Sequence, residues 1–261
     1  MDLWKDLNKI TALFKRGPIK ILMLDFDGTL APIAGSPDKA KLSKESKNLL
    51  IKLSKKKGFY LAIISGRSLS ELKKKVNLKN IIYAGNHGLE GEIFQQKYAF
   101  PVPDKALMTL KNIRGQLDKI AGRFKGVFIE DKGLTLSFHY RLVSKQQVPP
   151  VKLLFKKTLK SYLKTGLIYI MTGKMVFDVR PRLNWNKGSF AKLVINQIHI
   201  QTKTIPVVVF IGDDKTDEDV FQKVGKGITI KVGGDYRSNA KYRFSNTKDV
   251  FKFLEWIADN F

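Results

Sequence analysis

Two carboxylates stand at the end of an apolar run. Residues 19–30 read IKILMLDFDGTL, and Ile21, Leu22, Met23 and Leu24 lead straight into Asp25 and Asp27, with Gly28 and Thr29 behind them. Two acids so close are costly to hold together unless a cation or a proton lies between them. A carboxylate can attack phosphorus and become an aspartyl-phosphate. A second acid two residues on can protonate the leaving oxygen and then take a proton from water. Three later points supply matching groups: Ser65 in ISGR, Lys187 in NKG, and Asp213, Asp214 and Asp217 in GDDKTDED. Carboxylates and a backbone carbonyl are hard oxygen ligands suited to Mg²⁺. A hydroxyl and an ammonium can neutralise phosphoryl oxygens. Each has an ordinary reading when taken alone. Asp27 suits a turn helped by Gly28, Ser65 could cap the next helix, Lys187 could be a surface lysine, and the late acids could favour a helix N-terminus. In this order, together, they point to phosphoryl chemistry.

The elements that must position these groups follow from hydrophobic patterning. The run before Asp25 has no helical period, which predicts a strand buried on both faces. A helix is predicted over 42–57 and ends at Gly58. A second buried strand over 60–64 breaks into Ser65, Gly66 and Arg67, and a helix follows over 71–76. A third strand over 81–84 stops at Gly85, Asn86, His87 and Gly88. Such alternation means βαβ units and a parallel sheet, which binds ligands at the carboxyl ends of its strands. From Pro101 the texture changes. Helices over 106–121 and 151–164 alternate with a hairpin turning at Asp131, Lys132 and Gly133 and with strands over 167–171 and 175–179. The α/β pattern then resumes with a helix over 187–198, strands over 205–211 and 227–232, and a last helix over 250–259. The fold class expected is α/β: a Rossmann-like parallel-sheet core (1–103 and 182–261) with a smaller α+β domain inserted at 104–181.

Composition narrows the function classes. The 261 residues include no cysteine, so disulfides and Cys-ligated zinc or iron–sulfur sites are excluded. No apolar run approaches the ~20 residues of a membrane-spanning helix. The opening MDLWKDLNKITALF reads as an amphipathic helix and not as a secretory signal, so a cytoplasmic enzyme is expected. Lys and Arg number 48 against 23 Asp and Glu, a net charge of +25 that attracts polyanions and phosphorylated metabolites. The lysines are spread between apolar helix positions, and no zinc-finger, RNP-type or Gly-X-X-Gly pattern accompanies them, so they read as solvated faces. No Walker-type string is present, which argues against a P-loop NTPase.

DFDGTL, ISGR, the NKG lysine and GDDKTDED together resemble the haloacid dehalogenase superfamily of phosphotransferases. GNHGLE, the FHYR segment, RP followed by NKG, and GDDKTDEDVF narrow the resemblance to its trehalose-6-phosphate phosphatase family. The resemblance implies Asp25 as nucleophile and Asp27 as general acid/base. It implies Mg²⁺ held by Asp25, the Asp27 carbonyl and Asp213, with Asp214 and Asp217 tuning the metal shell or orienting Lys187. Ser65 and Lys187 would bind the transferring phosphoryl group, with Gly66 and Arg67 beside them. The inserted block would be a cap that excludes water. Glu130 and Lys132, then Lys174 and Asp178, would meet the sugar hydroxyls, and His87, Gly88 and Arg141 would line the same pocket. Asp178 departs from the family pattern, standing where a longer Glu is expected. The substrate implied is a sugar phosphate, trehalose 6-phosphate; sucrose 6-phosphate or a glycosyl-glycerate phosphate are the alternatives within the superfamily. A basic polyanion-binding protein on a phosphatase fold is the alternative outside it. A monomer is expected, with association to a trehalose-6-phosphate synthase left open.

Overall fold

The computed structural model describes residues 1–33, 37–234 and 237–261. In chain order it runs α1 (Leu7–Arg16), β1 (Lys20–Leu24), α2 (Lys44–Ser54), β2 (Phe59–Ile64), α3 (Leu69–Val76), β3 (Ile82–Gly85), β4 (Glu90–Ile93) and β5 (Gln96–Ala99). Then come α4 (Asp104–Ala121), β6 (Phe128–Asp131), β7 (Leu136–His139), α5 (Val148–Lys164), β8 (Ile168–Gly173) and β9 (Val176–Pro181). The chain closes with α6 (Lys187–Thr202), β10 (Val207–Gly212), α7 (Glu218–Lys223), β11 (Ile228–Val232), β12 (Tyr242–Phe244) and α8 (Thr247–Asn260). It divides into two compact units: residues 1–100 with 185–261, and residues 101–184. Among the described residues no helix is long and apolar enough to cross a membrane.

The first unit is built on an eight-stranded sheet ordered β12-β11-β10-β1-β2-β3-β4-β5. β1 lies in the middle, parallel to β10 and β2, with Leu24 opposite Ile211 and Ile63. Its residues alternate between two cores. Leu22 and Leu24 pack with Phe14, Leu50, Leu72 and Phe253 from α1, α2, α3 and α8, while Ile21 and Met23 pack with Phe190, Val194 and Phe221 from α6 and α7. Helices on both faces explain why β1 is apolar throughout, and each such side chain contributes roughly 1.5–3 kcal/mol by burial. Three parallel neighbours therefore end on one sheet edge, carrying Asp25, Ser65 and Asp213 just beyond β1, β2 and β10. The edge hairpin β4–β5, antiparallel to β3, and the short β12 add to the strands expected from the sequence.

The second unit is an antiparallel sheet ordered β6-β7-β9-β8 with α4 and α5 against one face. Leu136, Phe138, Phe177 and Val179 point into that core, where Phe155 of α5 stacks on Phe177 at 4.5 Å. The alternate residues Glu130, Ser137 and Asp178 are cross-strand neighbours and share the opposite face. α5 starts at Val148, three residues before the expected Val151, because Pro149 and Pro150 occupy its first turn, where a missing N–H costs nothing.

Candidate active site

The loop after β1 is a tight structure. The Asp25 N–H continues the ladder by donating to the Ile211 carbonyl at 2.9 Å. Phe26 is fully buried, and its carbonyl accepts from both Leu30 and Ala31, so Asp25 and Asp27 flank a fixed anchor. Gly28 has φ +83°, and a Cβ there would overlap the Asp213 carboxylate. A glycine is therefore required both by the turn and by the approach of the two acidic loops.

Lys187 opens α6 behind the Asn186 cap, whose side chain accepts from the Ser189 N–H at 3.0 Å. Its ammonium is buried and donates to Asp25 Oδ1 at 2.6 Å and Asp217 Oδ1 at 2.9 Å. Lys187 is thus no surface lysine. Asp25, Asp213 and Asp217 each offer an oxygen, all within 4.8 Å of one another. Asp214, expected in the metal set, is exposed and outside this triad; its carboxylate accepts from the Lys215 N–H at 2.7 Å. The other half of that capping box is Asp217, whose Oδ2 accepts from the Asp214 N–H at 2.9 Å. The box turns Asp217 inward and Asp214 outward. Lys231, on β11 and almost wholly buried, donates to the Asp213 carbonyl.

The electrostatics follow from three carboxylates around one ammonium. Burial, then the Asp217 and Asp213 charges, push Asp25 well above the ordinary carboxylate range despite Lys187. Burial, then Asp217 and Asp214, push Asp213 up to about 8. Burial alone would lower Lys187, but the Asp217 and Asp25 carboxylates outweigh it and hold the ammonium charged. The donor set is all hard oxygen, and its three carboxylates, when ionised, outnumber the one ammonium they surround, which fits a divalent cation such as Mg²⁺. A carboxyl raised from 3.8 to about 8 contributes stability that is complete below 3.8 and lost as pH rises through about 8. Added Mg²⁺ should therefore raise the melting temperature more at pH 8.5 than at pH 6. At a hundredfold excess over its Kd the stabilisation should reach about 2.7 kcal/mol. Scanning calorimetry checks this, and equal shifts at the two pH values would contradict it.

Ser65, Gly66 and Arg67 follow β2. Ser68, not Ser65, caps α3, accepting from the Glu71 N–H at 3.3 Å. Ser65 is buried at the strand end, and its hydroxyl accepts from the Arg67 N–H at 3.3 Å. Gly66 has no room for a Cβ because the His87 imidazole lies against it. His87 adopts a left-handed φ of 57° and its N–H donates to the Ser65 carbonyl at 2.9 Å. The Gly88 carbonyl accepts from Trp185 Nε1 at 2.7 Å. The Arg67 guanidinium is committed to Asp27 and Glu71.

In the second unit, Glu130 lies 3.8 Å from the Lys132 ammonium and 2.9 Å from His139 Nε2. Asp178 accepts from Ser137 at 2.5 Å and Arg180 at 2.9 Å. Burial would raise Asp178, but Lys132 and Arg180 outweigh it and hold the carboxyl below the usual range. Lys174 sits apart with an exposed side chain in the β8–β9 turn, where its carbonyl accepts from Arg141 at 2.9 Å. Ser137, His139 and Arg180 join this polar face, though none is among the site residues expected from the sequence. The alternation L-S-F-H of β7 sets Ser137 and His139 opposite the core residues Leu136 and Phe138, and the alternation F-D-V-R of β9 sets Arg180 beside Asp178.

A family profile described as trehalose-phosphatase matches residues 23–251. The chain belongs to that family. It is similar to trehalose-phosphate phosphatase B of Arabidopsis thaliana, 29% identical over 259 residues, covering 94% of this chain and 67% of the relative. A solved structure named as a trehalose-6-phosphate phosphatase related protein is 25% identical with TM-score 0.77, covering 92% of this chain and 97% of that one. The C-terminal domain of the C. albicans trehalose-6-phosphate phosphatase shares the fold at TM-score 0.83 and 22% identity, covering 97% and 96%. The fold is the haloacid dehalogenase type, and the trehalose-phosphatase family to which this chain belongs is one of phosphomonoesterases.

Proposed function

We propose that this trehalose-phosphatase family member hydrolyses trehalose 6-phosphate to trehalose and phosphate through an aspartyl-phosphate on Asp25. The observation that carries the reading is the Asp25 carboxylate, buried at the end of the central strand with Lys187 Nζ 2.6 Å from it, inside an all-oxygen acidic cluster. Asp25, Asp213 and the Asp27 carbonyl would hold Mg²⁺, with Asp217 adding charge beside them and fixing Lys187. Bound there, Mg²⁺ supplies positive charge to the phosphoryl oxygens. An Asp25 oxygen forms the bond to phosphorus as the bond from phosphorus to the sugar oxygen breaks, and Asp27 gives that oxygen its proton. Ser65 and Lys187 bind the phosphoryl group throughout. Water then attacks the phosphorus of the intermediate, Asp27 takes its proton, and the Asp25 carboxylate is regenerated.

The second unit serves as the cap in this reading. Glu130, Lys132 and Asp178 are its sugar-recognising groups, with Arg141 and Lys174, in the turn apart from them, as its further candidates. Asp178 reaches less far than a Glu and is already bonded to Ser137 and Arg180. The protein acts as a monomer in the cytoplasm, alone or with a trehalose-6-phosphate synthase. A substrate panel with phosphate release tests the assignment. Trehalose 6-phosphate should be preferred over glucose 6-phosphate and sucrose 6-phosphate by at least roughly tenfold in kcat/KM, about 1.4 kcal/mol of discrimination. Equal turnover of glucose 6-phosphate, or none of the trehalose ester, would replace it with another sugar-phosphate phosphatase. Salt-sensitive retention on nucleic acid without phosphate release would replace it with the polyanion-binding reading.

A further inference from the structure

We propose that Arg67 is the positioning residue for Asp27, and that hydrolysis of the phosphoenzyme depends on its guanidinium fork. This rests on the phosphatase reading above and assigns Arg67 a different task from phosphate binding. Arg67 Nε donates to Asp27 Oδ2 and Nη2 donates to Asp27 Oδ1, both at 2.7 Å. Such a bidentate fork fixes the plane of a carboxylate as well as its place, which a single ammonium does not do. Among the described residues no other side chain bonds the Asp27 carboxylate, whose side chain is 39% exposed. Without the fork it would turn freely.

Arg67 is itself held from four directions. Its third nitrogen pairs with Glu71 one turn along α3, and the guanidinium lies over the Phe26 ring, 5.5 Å from the centroid. Its carbonyl accepts from the Asn86 N–H at 2.6 Å, and its own N–H donates to Ser65 Oγ at 3.3 Å. The side chain is only 5% exposed. A buried, pre-ordered arginine of this kind transmits the rigidity of α3 and of the β3 turn to the Asp27 carboxylate. The fork leaves the Asp27 oxygens as acceptors in a fixed plane, which is the arrangement a base needs to orient and deprotonate a water. The bond formed in that step is from water oxygen to phosphorus, the bond broken is from phosphorus to Asp25, and the proton passes to Asp27.

The test uses the Mg²⁺-loaded protein and para-nitrophenyl phosphate, whose leaving group departs without a proton donor. Formation of the phosphoenzyme then bypasses Asp27, and only its hydrolysis needs the positioned carboxylate. Arg67→Met should give a burst of one equivalent of nitrophenolate followed by a steady rate lowered at least roughly tenfold, since general base catalysis contributes roughly 10²–10⁴-fold. Arg67→Lys, which keeps the charge and loses the fork, should fall between the variant and wild type. Glu71→Gln, which loosens the fork from behind, should shift the steady rate in the same direction by less and carries the test if Arg67→Met does not fold. A steady rate equal to wild type, or a loss of rate with a raised KM and no burst, would overturn the proposal in favour of simple phosphate binding. Wild-type turnover of para-nitrophenyl phosphate but not of trehalose 6-phosphate would defeat the substrate reading and leave the Arg67 result standing.

Discussion

Asp25→Asn is expected to abolish phosphate release, by a factor on the order of 10⁴ or more, while the protein still unfolds cooperatively near the wild-type temperature. The amide has the size and shape of the carboxyl but no nucleophilic oxygen. Its effect on folding should be small because two changes oppose each other. The Lys187 ammonium keeps the Asp217 carboxylate at 2.9 Å and exchanges its other carboxylate for an amide oxygen that still accepts, while a buried charge that Asp217 and Asp213 already disfavour is removed. Phosphate release and a thermal melt on the same preparation check both halves. Retained turnover would remove Asp25 from the chemistry, and loss of the melt would show that its role is structural.

Lys187→Met is expected to fail differently. It removes the ammonium that binds both Asp25 and Asp217 and leaves their carboxylates buried without it. Breaking a buried pair from one side costs about 3–5 kcal/mol, on the order of 10 °C of melting temperature for a chain of this size. Lys187 is held above the ordinary lysine value of 10.5, so its contribution is complete below that value and is lost only in stronger alkali. The ammonium is therefore charged throughout pH 6 to 8, and the deficit should grow over that range as the Asp213 carboxyl, raised to about 8, ionises without it. Saturating Mg²⁺ should restore part of it, because a cation in the acidic cluster replaces the missing charge. Lys192→Met, an exposed lysine on the same helix, should melt like wild type. Identical melting of the Lys187 variant would contradict the picture of an ammonium holding the cluster together.

The parts of this molecule legible from sequence were those where one residue type at one spacing has one physical meaning. Four apolar residues without a helical period, ending at Asp25, predict a strand covered on both faces, and that strand is the centre of the sheet. What escaped was decided by neighbours. The β4–β5 hairpin turns through Phe94 and Gln95 at φ 50° and 67°, with no Asn-Gly or Asp-Gly to announce it. Ser65 and Ser68 are both reasonable caps for α3, and only the backbone shows that Ser68 takes the bond and Ser65 is left at the strand end. Asp214 and Asp217 are equivalent as residue types, and the reciprocal capping bonds decide which carboxylate turns toward Asp25. Arg67 is 40 positions from Asp27, so their pairing appears only when β1 and β2 lie side by side.

The most direct test of the account is rapid acid quench of the wild-type protein turning over trehalose 6-phosphate labelled at phosphorus, followed by peptide mapping. Label is expected as an acyl-phosphate on the peptide bearing Asp25, formed only with Mg²⁺ present and discharged by water within the turnover time. Rapid release of labelled phosphate with no label at Asp25 at any quench time, or label on another residue, would contradict it.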